Sequence, residues 1–257
     1  MNRYPANSSK WIANQGVLVL VSVFLLAQPA SAQDPPRRTQ AQQQIDTLTT
    51  RLIDVYTRLY AATPEAERNT MLADMIGDPV IEVRLLALTL IERKLLNAQP
   101  IEEPLREKFR PLLDDPSPRV RARAALLLRT LDDEPAAAMV LERLPKERHA
   151  EVINAYLALL ARQPTPQAID SAIALLPKPA TSAAAARLLI RGIEQDKLTD
   201  KQKADTLSRA VTLANDGEEI EPAAVKLVGR LATEDQAALL KKLLDHSNDA
   251  VRLAAAD

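Results

Sequence analysis

The chain has 257 residues and nearly balanced charge, with 33 basic and 34 acidic side chains. It contains no cysteine and therefore can form neither a disulfide nor a thiolate metal site. With only five glycines it has no glycine-rich phosphate loop or dinucleotide fingerprint, and its slightly negative charge argues against nucleic-acid binding.

The first 32 residues have the features of a secretory signal peptide. Arg3 and Lys10 give a basic start, and residues 16–27 are apolar. Residues 30–32, Ala-Ser-Ala, form a small-residue cleavage site. An apolar run of about a dozen residues is shorter than the roughly 20 that a transmembrane helix needs, although an uncleaved signal anchor is an alternative. We expect export to the periplasm or secretion, with no stable membrane insertion after cleavage.

Residues 33–44 are polar and contain two prolines, and we interpret them as a disordered linker. Over residues 45–62 the spacing of apolar residues predicts an N-terminal helix. The apolar residues recur at intervals of three and four and form a narrow seam: Ile45, Leu48, Leu52, Val55 and Leu59. This helix can cap the region that follows, or it can pair with a second copy as a short coiled coil.

From residue 63 onward, copies of one helix-turn-helix unit repeat along the chain. Three copies align on a Val-Arg pair, at Val83, Val120 and Val251. An alanine follows four residues after each valine, at Ala87, Ala124 and Ala255. Repeated units of this kind stack on one another, because each needs its neighbour to bury its apolar face.

The clearest copy, residues 112–128, indicates how the unit folds. Pro116 ends the first helix, because proline cannot continue the ladder of hydrogen bonds. Ser117 or a neighbouring aspartate can then accept the free amides that begin the second helix. Beyond the turn, one apolar stripe at helical spacing consists of Val120, Ala124, Leu127 and Leu128.

We predict six helix pairs and no sheet, since the alternation typical of strands is absent. The pairs are residues 64–77 with 80–97, 101–114 with 118–132, 135–144 with 147–162, 166–177 with 181–193, 199–215 with 220–232, and 233–245 with 249–257. The last helix breaks off after about two turns. We expect the repeat region, residues 63–257, to be one part of a longer protein, the alternative being a short and frayed last helix.

Residues 109–128, FRPLLDDPSPRVRARAALLL, resemble the HEAT-repeat family and its shorter HEAT-like variants. The resemblance lies in a proline in the first helix, Pro111, a turn with aspartates, and a Val-Arg pair before an alanine-rich helix. It implies an all-α solenoid of about six pairs behind an N-terminal helix, and an interaction scaffold rather than an enzyme. It also implies that arginines after the valine pair with turn aspartates of neighbouring repeats. We assign this structural role to Asp78, Arg84, Asp115, Arg121, Asp245 and Arg252.

No residue pattern in the sequence predicts catalysis. His149 and His246 lack metal-ligand spacing and are interpreted as solvated or capping residues. Acidic pairs stand at helix ends and do not form a calcium loop, and no Gly-x-Ser-x-Gly elbow occurs. We expect no catalytic, cofactor-binding or metal site.

Charge is distributed unevenly among the predicted helices. Basic residues exceed acidic ones in the second helices, whereas the rest of the mature chain is acidic. The resemblance implies that second helices line the concave face of a solenoid, which makes that face basic. Arg123, Arg187 and Lys226 are our candidates for contact with a partner, because none is the arginine of a clear Val-Arg pair.

These features predict an exported scaffold that binds another protein, and the basic face favours an acidic one. Two alternatives remain open. The repeats can position a catalytic or haem domain of a larger exported enzyme, or the basic face can bind an anionic polymer or a membrane surface.

Overall fold

The computed structural model describes residues 39–215 and 220–256, and within these ranges the chain is all-helical, with 13 α-helices and no strand. The predicted all-α class is therefore confirmed. The predicted signal peptide and residues 33–38 of the predicted linker lie outside the described residues. Internal contacts separate an N-terminal unit that ends at Asp46 from a second unit that begins at Thr47.

The first helix, α1 (Gln40–Ala62), begins before the predicted start at Ile45. Residues 40–44 are therefore helical and do not belong to a linker. Thr39 explains the earlier start, because its hydroxyl Oγ1 accepts the amide of Gln42 at 3.2 Å and caps the first turn.

Within the second unit, α1 packs through a face that differs from the predicted seam. Of the seam residues, Leu52 packs against the core, whereas Leu48, Val55 and Leu59 are exposed. The contacting face is completed by Ile53, Tyr56 and Tyr60. The Tyr56 hydroxyl also donates to Asp78 Oδ2 at 2.9 Å. The face of α1 that packs against the core therefore carries aromatic rings with a polar end, and spacing alone did not reveal it.

Six helix pairs follow, at the places where six are predicted. They are α2 (Glu65–Ile76) with α3 (Ile81–Leu96), α4 (Glu103–Phe109) with α5 (Pro118–Thr130), α6 (Glu134–Arg143) with α7 (Ala150–Leu160), α8 (Pro166–Leu175) with α9 (Pro179–Glu194), α10 (Asp200–Asn215) with α11 (Pro222–Leu231), and α12 (Ala237–Leu244) with α13 (Asp249–Ala256). A 3-10 turn extends α4 to Asp114, and others follow α6 and precede α12. No described helix is both long enough and apolar enough to span a membrane.

The contacts between helices follow one rule along the second unit. The two members of each pair pack against each other, with the 3-10 turn standing in for α4 in the second pair. Each second helix also packs against the second helix of the next pair, which connects α3, α5, α7, α9, α11 and α13 in that order. The buried apolar residues consequently form one continuous cluster from Leu72 to Ala254.

The alanine positions of the repeat are where these helices meet. Ala87 and Ala124 are completely buried, and a methyl side chain lets neighbouring helices approach closely. The whole predicted stripe of α5 is buried as well. In α13 the buried alanine is Ala254, and Ala255 is only half-buried.

Three second helices also end in the same way. The second residue after the helix has a left-handed backbone, with φ of 55° at Ala98, 52° at Asp132 and 50° at Asp196. In each case the next amide reaches back to a carbonyl of the last turn, as in Lys197 to Gly192 at 2.9 Å. The repeat is therefore present in helix ends as well as in helix starts.

Candidate functional site

At two of the turns, an aspartate carboxylate accepts a backbone amide just before the second helix begins. Asp78 Oδ1 accepts the amide of Val80 at 2.8 Å, and Asp115 Oδ1 accepts the amide of Ser117 at the same distance. The side chain of Ser117, a sequence candidate for this task, makes no capping hydrogen bond. The aspartates thus satisfy amides that the helix leaves free.

Arg84 connects the first turn to the second. Its Nη1 donates to the carbonyl oxygens of Asp78 at 2.7 Å and Pro79 at 3.1 Å. Its Nε and Nη2 contact the Asp115 carboxylate at 2.7 and 3.0 Å. Only 10% of the Arg84 side chain and 4% of the Asp115 side chain are exposed. This is the pairing with a neighbouring turn aspartate that the resemblance to HEAT repeats implies.

Arg121 repeats this geometry one pair further along the chain. Its Nη1 donates to the carbonyl oxygens of Asp115 at 2.7 Å and Pro116 at 3.2 Å, and its Nε and Nη2 donate to Glu147 at 2.9 and 3.0 Å. A glutamate thus replaces the expected aspartate. Burial raises the pKa of Glu147, but hydrogen bonds from Arg121 and from His149 outweigh it and lower the pKa to about 2.

Arg252 makes the contacts within its own turn that Arg84 and Arg121 also make. Its Nη1 donates to the carbonyl oxygens of His246 at 2.6 Å and Ser247 at 3.0 Å. Its Nη2 pairs with Asp249 in the same helix instead of with another turn. Arg252 therefore organises its own turn.

The assignment of Asp245 to this structural set requires correction. Asp245 is exposed, and its side chain makes no hydrogen bond or ion pair with any described residue. It directly follows α12, and the helix-starting position falls one residue later, on His246. There Nδ1 of the ring accepts the amide of Asn248 at 3.1 Å. An imidazole nitrogen therefore replaces the carboxylate at this turn.

A groove of about 510 Å³ lies across α5, α7 and α9. Alanine side chains form much of its lining: Ala122, Ala155, Ala158, Ala161, Ala180, Ala183 and Ala184. Four arginines also line it: Arg119, Arg123, Arg129 and Arg187. Among its described lining residues only Glu151 is acidic. We call this surface the arginine groove.

The structure brings together two of the three residues predicted to contact a partner. Arg123 and Arg187 both line the arginine groove. Arg123 also forms an ion pair with Glu92 of α3. Arg187 is exposed and makes no hydrogen bond or ion pair with any described residue. Lys226 lies on α11 outside the groove lining, is half-buried, and already interacts within the chain.

Several arginines that the sequence did not single out belong to the same region. Arg162 and Arg191 line a second hollow of about 490 Å³, which shares Arg129 and Arg187 with the arginine groove. A sequence pattern was present for part of this set. Arg187 and Arg191 are four residues apart and thus lie on one face of their helix.

The described residues include no cluster of three or more histidine, cysteine, aspartate or glutamate side chains that could hold a metal ion. The two histidines lie at different turns, where His149 Nδ1 is 3.0 Å from Glu147 Oε1 and His246 accepts a backbone amide. Both side chains take part in turn structure.

Comparison with known protein families gives no match, and no curated protein sequence matches the chain.

Proposed function

We propose that residues 63–257 form a HEAT-like α-solenoid that serves as a scaffold for binding another protein. The contacts between successive second helices support this architecture, as do the shared turn arginines and the repeated left-handed helix ends. In such a stack, second helices form one continuous face. The arginine groove lies on that face.

The proposed partner segment is acidic polypeptide, and the lining of the arginine groove is the observation that carries the proposal. Guanidinium groups pair with carboxylates through two parallel hydrogen bonds. The alanine methyl groups between them leave room for a peptide backbone to approach the helices. The one acidic lining residue, Glu151, leaves the groove with excess positive charge.

The same lining favours binding over reaction. Arginine stays protonated in proteins, so the charged groups that dominate the groove cannot act as a general base. Alanine and leucine side chains add no nucleophile. We therefore propose a noncatalytic role.

A charge-reversal experiment tests the proposed function. We expect the triple variant Arg119→Glu, Arg123→Glu and Arg187→Glu to bind a labelled glutamate-rich peptide about tenfold or more weakly than the wild type, because three attractive charges become repulsive. The matched control is Lys108→Glu, Lys201→Glu and Arg209→Glu, which makes the same charge change at exposed residues of α4 and α10. Equal binding by wild type and the groove variant would refute the proposal.

We also propose that the protein is exported after cleavage behind residue 32. The chain has one tryptophan, Trp11, and it lies in the predicted signal peptide. Protein recovered from an exporting host should show no tryptophan emission and an intact mass without residues 1–32. A mass that includes Trp11 would contradict cleavage.

A further inference from the structure

The hollow that adjoins the arginine groove has an unusual lining. Four arginines contribute to it: Arg129 in the last turn of α5, Arg162 just after α7, and Arg187 and Arg191 on α9. The remaining lining residues are Thr130, Ala158 and Ala161, so no acidic residue is among its described lining. We call this space the four-arginine hollow.

Two of these arginines are only weakly neutralised. Arg162 forms an exposed ion pair with Asp132 at 3.4 Å, and Arg191 forms one with Glu194 at 3.2 Å. Exposed pairs of this kind contribute little to stability, so a ligand can replace them at little cost.

The other two arginines are not neutralised by the described residues. Arg129 and Arg187 are exposed, and neither makes a hydrogen bond or ion pair with any described residue. The four-arginine hollow therefore retains positive charge that the described carboxylates do not balance.

Helix stabilisation does not account for all of this charge. Cations near the end of a helix interact favourably with its free carbonyl groups, which explains Arg129, Arg162 and Arg191. Arg187 lies about two turns before the end of α9, beyond the range of that effect. Its position over the hollow calls for another explanation.

The positive charge is also spread over the width of a helix. Arg129 lies on α5 and Arg187 on α9, and both helices pack against α7, which supplies Ala158. Axes of packed helices are about 8–10 Å apart. Charges attached to helices on either side of α7 suit several carboxylates on one peptide better than they suit one compact anion.

We propose that the four-arginine hollow is a subsite for consecutive acidic residues of the partner segment. This inference rests on the proposed function, because it assumes that the arginine groove takes acidic polypeptide. It adds a direction: the acidic run lies at the ends of α5 and α7, and the rest of the segment continues along the alanine-lined groove.

Two labelled peptides of identical composition test this subsite with the full chain. One carries its glutamates as a run at one end, and the other carries them evenly spaced among neutral residues. We expect wild-type protein to bind the clustered peptide about tenfold more tightly. The double variant Arg129→Gln and Arg187→Gln should lose this preference. The control Lys201→Gln and Arg209→Gln, which removes the same charge from α10, should retain it, and thermal melting of both variants should match the wild type.

The possible outcomes separate the two proposals. If wild type binds both peptides equally well, the subsite is refuted and the proposed function stands. If it binds neither, both are refuted. A preference that persists in Arg129→Gln with Arg187→Gln refutes the subsite, since the run then binds elsewhere. Displacement of the clustered peptide by inorganic phosphate, at a concentration at which chloride has no effect, would assign the hollow to a tetrahedral anion and overturn the carboxylate subsite.

Discussion

Arg84 and Arg252 occupy the same position of the repeat but differ in the burial of their carboxylate partners. Asp115, the partner of Arg84, is almost completely buried, whereas 82% of the side chain of Asp249, the partner of Arg252, is exposed. Removing one member of a buried pair leaves an uncompensated charge in the interior and costs about 3–5 kcal/mol. An exposed pair contributes about 0–1 kcal/mol.

We therefore expect Arg84→Met to lower the free energy of unfolding by about 3 kcal/mol or more, and Arg252→Met by about 1 kcal/mol or less. Urea unfolding monitored by circular dichroism measures both. Equal losses in the two variants would show that the Arg84–Asp115 pair does not stabilise the fold as much as its burial implies.

Glu147 makes the stability of the fold depend on acidic pH. Its pKa in the folded chain is lowered from 4.5 to about 2, so the carboxylate stabilises the fold fully above pH 4.5 and loses this effect as the pH falls toward 2. We expect the melting temperature of the wild type to exceed that of Glu147→Gln at neutral pH. The difference should shrink between pH 4.5 and pH 2. A difference that stays constant across this range would contradict the role of the Arg121–Glu147 pair.

At the residue scale, the sequence predicted contacts best where the motif is intact. The pairing of Arg84 with Asp115 is the one that the resemblance to HEAT repeats implies for an intact Val-Arg motif and an aspartate-containing turn. The turn near Asp245 departs from that pattern, and a one-residue shift gives the capping position to His246. Burial of Lys226 depends on the rotation of α11, which the motif does not specify.

Ala124 tests the packing of whole helices, because it lies in the middle of α5 and is completely buried. A glutamate there would bury a charge without a partner or would separate α5 from its neighbours. We expect Ala124→Glu to cost about 3 kcal/mol or more in the free energy of unfolding. Arg119→Glu introduces the same side chain at an exposed position of the same helix and should change stability by about 0.5 kcal/mol or less. Equal melting temperatures for wild type and Ala124→Glu would contradict the burial of Ala124 between α5 and its neighbours.

At the element scale, prolines and apolar periodicity were sufficient to locate all six pairs. Proline begins α5, α8, α9 and α11 in the structure. The predicted starts at residues 118 and 166 fall on two of these prolines, whereas α9 and α11 were predicted to begin at residues 181 and 220. The face of α1 was not predictable in this way. Its apolar residues cover more than one face, and contacts with residues distant in sequence, such as Tyr56 with Asp78, decide which face packs against the core.

At the scale of the molecule, the arginine groove depends on three helix pairs at once. The repeat predicts that second helices are neighbours, and an excess of basic residues in them was visible in the sequence. Which arginines share one surface depends on how far each helix is rotated. That is why Arg123 and Arg187 were predicted together, whereas Arg129, Arg162 and Arg191 became candidates only once α5, α7 and α9 were placed side by side.

The central claim is that acidic polypeptide binds on the second helices. Photo-crosslinking tests it most directly. A photoreactive amino acid replaces Leu126, which is exposed and lines the arginine groove, and in a separate variant replaces Lys201, which is exposed on α10. We predict that a glutamate-rich peptide crosslinks to the variant at position 126, that salt weakens this crosslink, and that position 201 gives none. Crosslinking at position 201 with none at position 126 would contradict the account.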